Sequence, residues 1–203
     1  MSALPGMRPA SLCAQRPSLL PSRAAWELPV FTGRLGEICG GPASAVLTLA
    51  FRLVLDAQRR NEPVAWITRQ EQTFYPPDVA DAAVDVEALV VIRAATLLQG
   101  ARAADWLLRS GGFGLVVLDL GHRPRLSLAV QGRLSGLAKK HQAAVLCLTG
   151  GEHAGSLVSI RVEATRWPEG ENRYRCQIRV LKDKRYGPGW EHRESCRGPD
   201  GLH

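Results

Sequence analysis

Short apolar runs alternate with longer amphipathic stretches along most of the chain. The apolar runs are RLGEIC (34–39), VAWIT (64–68), ALVVIRA (88–94), LVVLDL (115–120) and AAVLCLT (143–149). Runs that are apolar on both faces are typical of the central strands of a parallel sheet. The intervening stretches predict helices at about residues 47–60, 97–109 and 126–141. This order predicts an α/β fold in which helices flank a mostly parallel sheet.

The pattern changes after Gly150. The stretches VSIRVEATR and RYRCQIRVLKDK alternate apolar and polar residues with a period of two, and WPEGEN, which contains Pro168 and Gly170, joins them. This arrangement predicts an antiparallel hairpin at the C-terminal end of the sheet. We therefore expect a core domain over residues 28–187, preceded by an N-terminal arm with proline and arginine (1–27) and followed by a flexible tail (188–203).

The composition is that of an ordinary globular protein, with 45% hydrophobic and 22% charged residues among 203. No apolar run approaches the roughly 18–20 residues that span a bilayer, so we expect a cytoplasmic protein with no membrane partner. The five cysteines are widely spaced and form no CxxC pair. Cys39, Cys147 and Cys176 lie in predicted strands, where a reduced cysteine acts as a small buried hydrophobe. Neither a metal nor another cofactor is expected.

The formal net charge of +7 is concentrated in one segment, because residues 121–141 contain no acidic residue. The cations of this segment are Arg123, Arg125, Arg133, Lys139 and Lys140. They predict weak, sequence-independent binding of nucleic acid through phosphate contacts that salt strongly reduces. An acidic protein partner and an ordinary solvated helix face are the alternatives. The segment has no tyrosine, tryptophan or phenylalanine, so base stacking is not expected.

The stretch GEICGGPASAVL has the form of a strand, a glycine-rich turn and the start of a helix, as in the phosphate-binding loop GxxxxGK[ST]. In a working loop, backbone N–H groups and the lysine bind the phosphates, and the hydroxyl holds magnesium. When the loop is counted from Gly40, Ala45 replaces the second glycine, Val46 replaces the lysine and Leu47 replaces the Ser/Thr. We therefore predict that the protein is not an enzyme and hydrolyses no nucleotide.

This loop with its flanks, GRLGEICGGPASAVLTLAFRLVLDAQRRNEPVAWIT, together with LVVLDL and the C-terminal hairpin, resembles the core of RecA recombinase over roughly residues 28–190. The resemblance implies a RecA-like fold. Asp119 matches the family's aspartate on the metal side of the site and is interpreted as vestigial. Gln70, beside Glu71, stands where the family has its catalytic glutamate, and glutamine cannot act as a general base. Lys182 and Lys184 match a basic pair that senses a neighbouring subunit's nucleotide, or they are solvated edge residues.

A short, basic RecA-like chain without the nucleotide signature is similar to ImuA-type proteins, which are accessory proteins of bacterial translesion-synthesis mutasomes. This resemblance implies a non-catalytic adaptor in DNA-damage tolerance and SOS mutagenesis, with RecA and an ImuB-like inactive polymerase homologue as partners. Two alternatives remain open. One is a SulA-like inhibitor of cell division, and the other is a divergent ATPase in which Arg34 or Arg52 supplies the missing cation.

Both ends of the chain are predicted to bind partners. RecA-type subunits associate through an N-terminal element, which the arm and the first strand of the body are placed to imitate. The predicted partner-binding residues, rich in the types that dominate interface energy, are Arg16, Arg23, Trp26, Phe31, Trp190 and Arg193. The alternative for Trp26 and Phe31 is that they cover the protein's own sheet edge.

Overall fold

The computed structural model describes residues 26–41, 44–70, 82–122, 126–151, 153–171 and 173–197. The helices are α1 (Leu28–Phe31), α2 (Val46–Arg59), α3 (Leu97–Ser110) and α4 (Leu128–His141). The strands are β1 (Leu35–Cys39), β2 (Val64–Arg69), β3 (Leu89–Ala94), β4 (Leu115–Asp119), β5 (Ala144–Thr149), β6 (Ile160–Gly170), β7 (Arg173–Asp183) and β8 (Glu191–Arg197).

These strands form one sheet in the order β3-β2-β4-β5-β1-β6-β7-β8. From β3 to β6 every neighbouring pair is parallel. In contrast, β7 pairs antiparallel with β6 and with β8. The predicted α/β fold, with a mostly parallel sheet, flanking helices and a C-terminal antiparallel hairpin, is therefore confirmed, and it is consistent with a RecA-like core.

Helices cover both faces of the parallel part of the sheet. On one face, Leu49 and Leu53 of α2 join a core cluster with Ile38 of β1. On the other face, α3 and α4 contribute Leu108 and Leu134 to a second cluster. Strands β1, β2, β4 and β5 are covered on both sides, which explains why their sequences are apolar throughout.

Capping residues set the ends of the two helices that share a face. The hydroxyl of Thr96 accepts a hydrogen bond from the N–H of Gln99 at the start of α3 (3.2 Å), and Ser127 accepts one from Val130 at the start of α4 (3.3 Å). The next residue after α3, Gly111, has φ +69°, a left-handed conformation that glycine adopts without a side-chain clash. Each helix follows a parallel strand and runs back along the sheet.

The N-terminal part of the body differs from the prediction. Residues 28–31, for which the sequence pattern predicted no element, form the single turn α1. Trp26 and Phe31 are 6% and 0% exposed, with their rings edge to face at a centroid distance of 5.0 Å. The indole N–H of Trp26 donates to the carbonyl of Leu49 in α2 (2.8 Å). The prediction that these two side chains are exposed partner-binding anchors is therefore wrong in this fold, and they pack in the core cluster on the α2 side rather than over the sheet edge of the stated alternative.

The C-terminal prediction also needs correction. Residues 191–197 are not a loose tail but strand β8, paired with β7. Trp190, predicted as an exposed docking residue, is 7% exposed, and its indole N–H donates to Asp183 (3.3 Å). The apolar part of Trp190 packs in the α2-side cluster, which removes it from the surface. Arg193 is exposed and forms an ion pair with Glu191 (2.7 Å).

The predicted strand cysteines are buried. Burial and the nearby Glu37 raise the pKa of the Cys39 thiol to about 11, and burial also raises the pKa of Cys147. These two thiols therefore stay protonated at neutral pH.

Among the helices of the described residues, none is long and apolar enough to cross a bilayer.

Candidate functional site

The turn between β1 and α2 lies at the carboxyl end of β1, next to the end of β5. The N–H of Gly40 donates to the carbonyl of Thr149 (3.2 Å), and the N–H of Ser44 donates to the carbonyl of Gly41 (3.3 Å). A methyl group on Gly40 would lie 2.5 Å from the Ser44 hydroxyl oxygen and 2.8 Å from a methyl carbon of Val46. The side chains of Ser44 and Val46 thus occupy the space above Gly40.

The residues that replace the phosphate-binding groups have different environments. Ala45 is fully buried and precedes α2 without a side-chain cap. Val46 packs against the α2-side core cluster, whereas Leu47 is 48% exposed. A loop counted from Gly41 instead of Gly40 would place Leu47 at the lysine position, and the exposure of Leu47 favours this second frame.

The second frame identifies a residue that the sequence analysis missed. Thr48 then stands at the Ser/Thr position, and Val46 and Leu47 replace the second glycine and the lysine. The signal was available in the sequence, because GPASAVLT has the required length. In either frame the loop contains no lysine, so it presents no cationic side chain of its own.

The two arginines considered as substitutes for that lysine are held elsewhere. Arg34 precedes β1 and therefore lies at the amino end of this strand, roughly 15–20 Å from its carboxyl end at the rise of an extended chain. It is 5% exposed and pairs with Asp183 (2.5 Å). Arg52, in the second turn of α2, pairs with Glu194 of β8 (3.2 Å). Neither guanidinium is directed to the turn at Gly40.

Asp119 is the last residue of β4, so it lies on the side of the sheet where the parallel strands have their carboxyl ends. One of its carboxylate oxygens accepts a hydrogen bond from the N–H of Gly121 (3.3 Å). Gln70 follows β2 and is exposed. Its backbone N–H donates to the carbonyl of Ala94 (2.9 Å). Glu71 lies outside the described residues. The carboxyl ends of β1, β2 and β4 thus lie on one side of the sheet, with Asp119 and Gln70 at two of them.

Near these strand ends is a buried polar network that the sequence analysis did not identify. The carboxylate of Glu37 in β1 is fully buried. It accepts hydrogen bonds from Arg161 Nε (2.7 Å), from the N–H of Ala154 (2.8 Å) and from the hydroxyl of Thr149 (3.1 Å). Arg161 also donates to the carbonyl of Gly155 (2.7 Å). The network fastens the connection between β5 and β6 onto the sheet.

Lys182, one of the predicted sensing pair, lies beside this network. Its ammonium donates to the carbonyl of Ser156 (2.8 Å) within the same connection. Burial lowers the pKa of Lys182, and the positive charges of Lys184 and Arg161 lower it further. Lys184 is exposed. The two lysines therefore have different environments, with Lys182 satisfied by its own chain.

The predicted nucleic-acid surface is only partly described, because Arg123 and Arg125 lie outside the described residues. The other three cations lie on α4, where Arg133, Lys139 and Lys140 are exposed. In an α-helix, residues 139 and 140 point about 100° apart, so these two lysines do not share one direction. The basic segment of the sequence is consequently split between two sides of α4.

Arg133 connects α4 to α3. Its guanidinium makes two hydrogen bonds to the carboxylate of Asp105 in α3, which also pairs with Arg109 (2.8 Å). The hydrogen bond from Arg133 lowers the pKa of Asp105, and burial opposes this shift. Asp105 therefore remains ionised and holds two arginines side by side.

The described residues contain no group of three or more His, Cys, Asp or Glu side chains that could hold a metal ion.

Of the predicted partner-binding residues, Arg16 and Arg23 lie outside the described part of the chain.

Comparison with known proteins reveals partial similarity to RecA. Over 87 residues, 43% of the chain, the sequence is 37% identical to the RecA protein of a Nocardioides species and covers 25% of that protein. The identity is 37% to RecA of Clavibacter michiganensis, with 24% of that protein covered, and 31% to RecA of Rickettsia massiliae, with 25% covered. The chain thus covers about a quarter of the length of these relatives. No family model matches the chain.

Proposed function

We propose that this protein is a RecA-like adaptor in DNA repair that hydrolyses no nucleotide. Within DNA repair, we assign it to damage tolerance by translesion synthesis and SOS mutagenesis. Its proposed partners are RecA and an ImuB-like inactive polymerase homologue. The similarity to RecA proteins supports the repair context, but a fold by itself does not determine function. The argument for an adaptor therefore depends on individual surfaces.

The turn between β1 and α2 carries the proposal. A strand that ends at Cys39 and a helix that begins at Val46 flank it in the order of a phosphate loop, while Val46 packs into the core and Leu47 projects an apolar side chain into solvent. Neither can neutralise a phosphate, and Arg34 and Arg52 are engaged elsewhere. A frame kept without its charges is expected of a protein that uses the fold for binding.

Strand β3 offers a surface on which a partner could bind. It lies at one end of the sheet, and no described strand pairs with its outer edge. Val90 and Val91 are 44% and 36% exposed. Because successive residues of a strand point to opposite faces, both faces of β3 are partly open. An open apolar edge of this kind can pair with a strand from another chain.

The opposite edge is less suited to strand pairing. The outward side of β8 carries Glu191 and Arg193, which are charged and paired with each other. Charged side chains on an edge strand disfavour pairing with another strand. We therefore place the main partner surface at β3, and we keep the N-terminal arm (1–25) as a second predicted contact.

The proposal is tested by measuring the binding of purified RecA and of the ImuB-like protein to immobilised chain. We expect Val90→Lys combined with Val91→Lys to weaken binding of at least one partner by tenfold or more, because lysine on an edge strand opposes pairing. Leu181→Lys is the matched control, since Leu181 is an equally exposed apolar residue (37%) on the internal strand β7.

Deletion of residues 1–25 should weaken RecA binding without changing the thermal transition. If neither protein binds the full chain, the adaptor role is wrong. If both bind and neither the β3 variant nor the deletion weakens them, the adaptor role stands and the assigned surface is wrong. Binding of the division tubulin in place of both partners would favour the SulA-like alternative.

A further inference from the structure

One tryptophan is exposed to a degree that packing does not explain. Trp106 in α3 is 68% exposed. Tryptophan is usually well buried, because its large ring gains more than most side chains from leaving water. On the same side of α3, Arg102 lies one turn before Trp106 and Arg109 lies one turn after it. The ring is therefore flanked along the helix by two guanidinium groups.

Helix α4 adds two more cations to this side. Asp105 pairs with both Arg109 and Arg133, so the guanidinium groups of α3 and α4 lie within one ion-pair cluster. Lys140 follows Arg133 by two turns and points in nearly the same direction. Asp105 is the one acidic residue in the two helices, and its side chain is only 12% exposed.

We group five residues of these two helices as the α3–α4 face, on the basis of the Asp105 ion pairs and of helical spacing. It consists of Arg102, Trp106, Arg109, Arg133 and Lys140. From Arg102 to Arg109 the cations extend over roughly 10 Å, at 1.5 Å per helical residue. Lys139 is not part of it, because the backbone of Lys139 lies on the other side of α4, against Gly33. The sequence conceals this surface, since Trp106 and Arg133 come from different helices.

We propose that the α3–α4 face binds single-stranded nucleic acid, with Trp106 stacking on a base and the four surrounding cations contacting phosphates. Combining an aromatic ring with a basic groove is how sequence-independent single-strand binders work. The proposal changes the expectation from the basic segment alone, which included phosphate contacts but no stacking. It adds a nucleic-acid-binding surface to the proposed function, and it rests on that function only for its place in DNA repair.

The surroundings of Trp106 favour nucleic acid over an acidic protein. The centre of a protein interface is depleted in charge and packed with apolar side chains. Around Trp106, by contrast, the exposed α3 residues within one turn are Arg102, Arg109 and Ser110, which are charged or polar, and the exposed apolar Leu98 lies two turns away. The ring is thus a single flat apolar surface within a basic field, which complements a base within a chain of phosphates.

The test measures the affinity of the purified chain for three probes at fixed salt by fluorescence anisotropy. The probes are a 20-nucleotide thymidine strand, an abasic strand of equal length and a polyglutamate peptide. We expect Trp106→Ala to weaken thymidine-strand binding about tenfold, since a stacked base is worth about 1–3 kcal/mol. Trp106→Phe should retain most of the affinity, because it keeps an aromatic face.

Charge variants separate the face from the rest of α4. Arg133→Gln and Lys140→Gln should each reduce the log–log salt slope by about 0.7, the value for one phosphate contact on a single strand. Lys139→Gln is the matched control and should change the slope less. The inference is overturned if Trp106→Ala binds as the wild type does, if the abasic strand binds as tightly as the thymidine strand, or if polyglutamate binds better than both. These readouts use no protein partner, so the result is independent of the RecA and ImuB binding measurements.

Discussion

Two regions of the molecule differ in what the sequence and the packing contribute. One is the side of the sheet where the parallel strands have their carboxyl ends, and the other is the α3–α4 face. At the carboxyl ends of the strands, the chain keeps the order of strand, glycine-rich segment and helix, but Val46 packs inward, Leu47 is apolar and Glu37 is buried in a network. On the α3–α4 face no motif is visible in the sequence, yet packing brings Arg109 and Arg133 together at Asp105, the residue before the exposed Trp106. The loop of the region with a motif contains no lysine or arginine, and the region without a motif has charge and an exposed ring.

The comparison teaches that burial separates structural from binding roles more clearly than residue type does. Arg161 and Arg133 are both arginines paired with a carboxylate, but their side chains are 15% and 58% exposed. A buried partner is costly to lose, whereas an exposed one contributes little to stability. Substitutions in the buried network of Glu37 should therefore change stability, whereas substitution of the exposed Trp106 on the α3–α4 face should change binding with little effect on stability.

The largest effect is expected from Glu37→Ala. Removing this carboxylate leaves Arg161 and the N–H of Ala154 without their partner in a buried site, which should lower the free energy of unfolding by about 3–5 kcal/mol. Urea unfolding monitored by circular dichroism measures the change. Trp106→Ala is the comparison, and it should change stability by less than about 0.5 kcal/mol because the ring is exposed. Equal losses for both variants would contradict the separation of the two regions.

Asp183 should make stability depend on pH. Burial raises the pKa of this carboxyl group, but the hydrogen bond from Arg34 and those from the backbone N–H groups of Arg185 and Tyr186 lower it, and the net shift is downward. A carboxylate with a lowered pKa stabilises the fold above its unfolded pKa of about 3.9, and this contribution is lost as the pH falls through the folded value.

Asp183→Asn should therefore lower the free energy of unfolding by about 2–3 kcal/mol at neutral pH, the value of a hydrogen bond to a charged group. The difference from the wild type should stay constant between about pH 7 and 5 and should shrink below about pH 4, where Asp183 of the unfolded chain protonates before the carboxylate of the folded protein does. Urea unfolding across this range measures it. A difference that does not change with pH would show that the effect of the substitution is not electrostatic.

A smaller effect is expected in the turn itself. Gly40→Ala should destabilise by about 1–2 kcal/mol, within the range for overpacking, because its methyl group would lie 2.5 Å from the Ser44 oxygen. Gly41→Ala is the matched control, since no described atom lies within 4 Å of the added carbon. Thermal unfolding of the two variants compares them. If Gly40→Ala is as stable as Gly41→Ala, the turn is looser than its contacts indicate.

Much of the fold could be predicted because its parallel strands are buried on both faces. Runs such as 64–68 and 143–149 admit few other interpretations, and the observed strands begin or end within one residue of them. The strand β8 was missed for a physical reason. Two of its three inward side chains, His192 and Glu194, are polar, and Glu194 faces Arg52 of α2, so the alternation of apolar and polar residues is weak although Cys196 packs against the core.

The site residues depended on contacts between distant parts of the chain. Arg34 pairs with Asp183, which is 149 positions away, and Glu37 contacts Arg161 across 124 positions. Sequence patterns cover neighbouring residues, so they cannot reveal such pairs. The same limit explains why Trp106 was not associated with Arg133, although each residue is readily found in the sequence.

The absence of nucleotide chemistry at the β1–α2 turn is the central claim, and equilibrium titration with a fluorescent ATP analogue and magnesium tests it most directly. The wild type should show no saturable binding up to about millimolar nucleotide, the range in which binding free energy is only about −4 kcal/mol. Asp119→Ala should give the same curve. Saturable micromolar binding by the wild type that Asp119→Ala abolishes would contradict the claim and revive the divergent ATPase as the alternative.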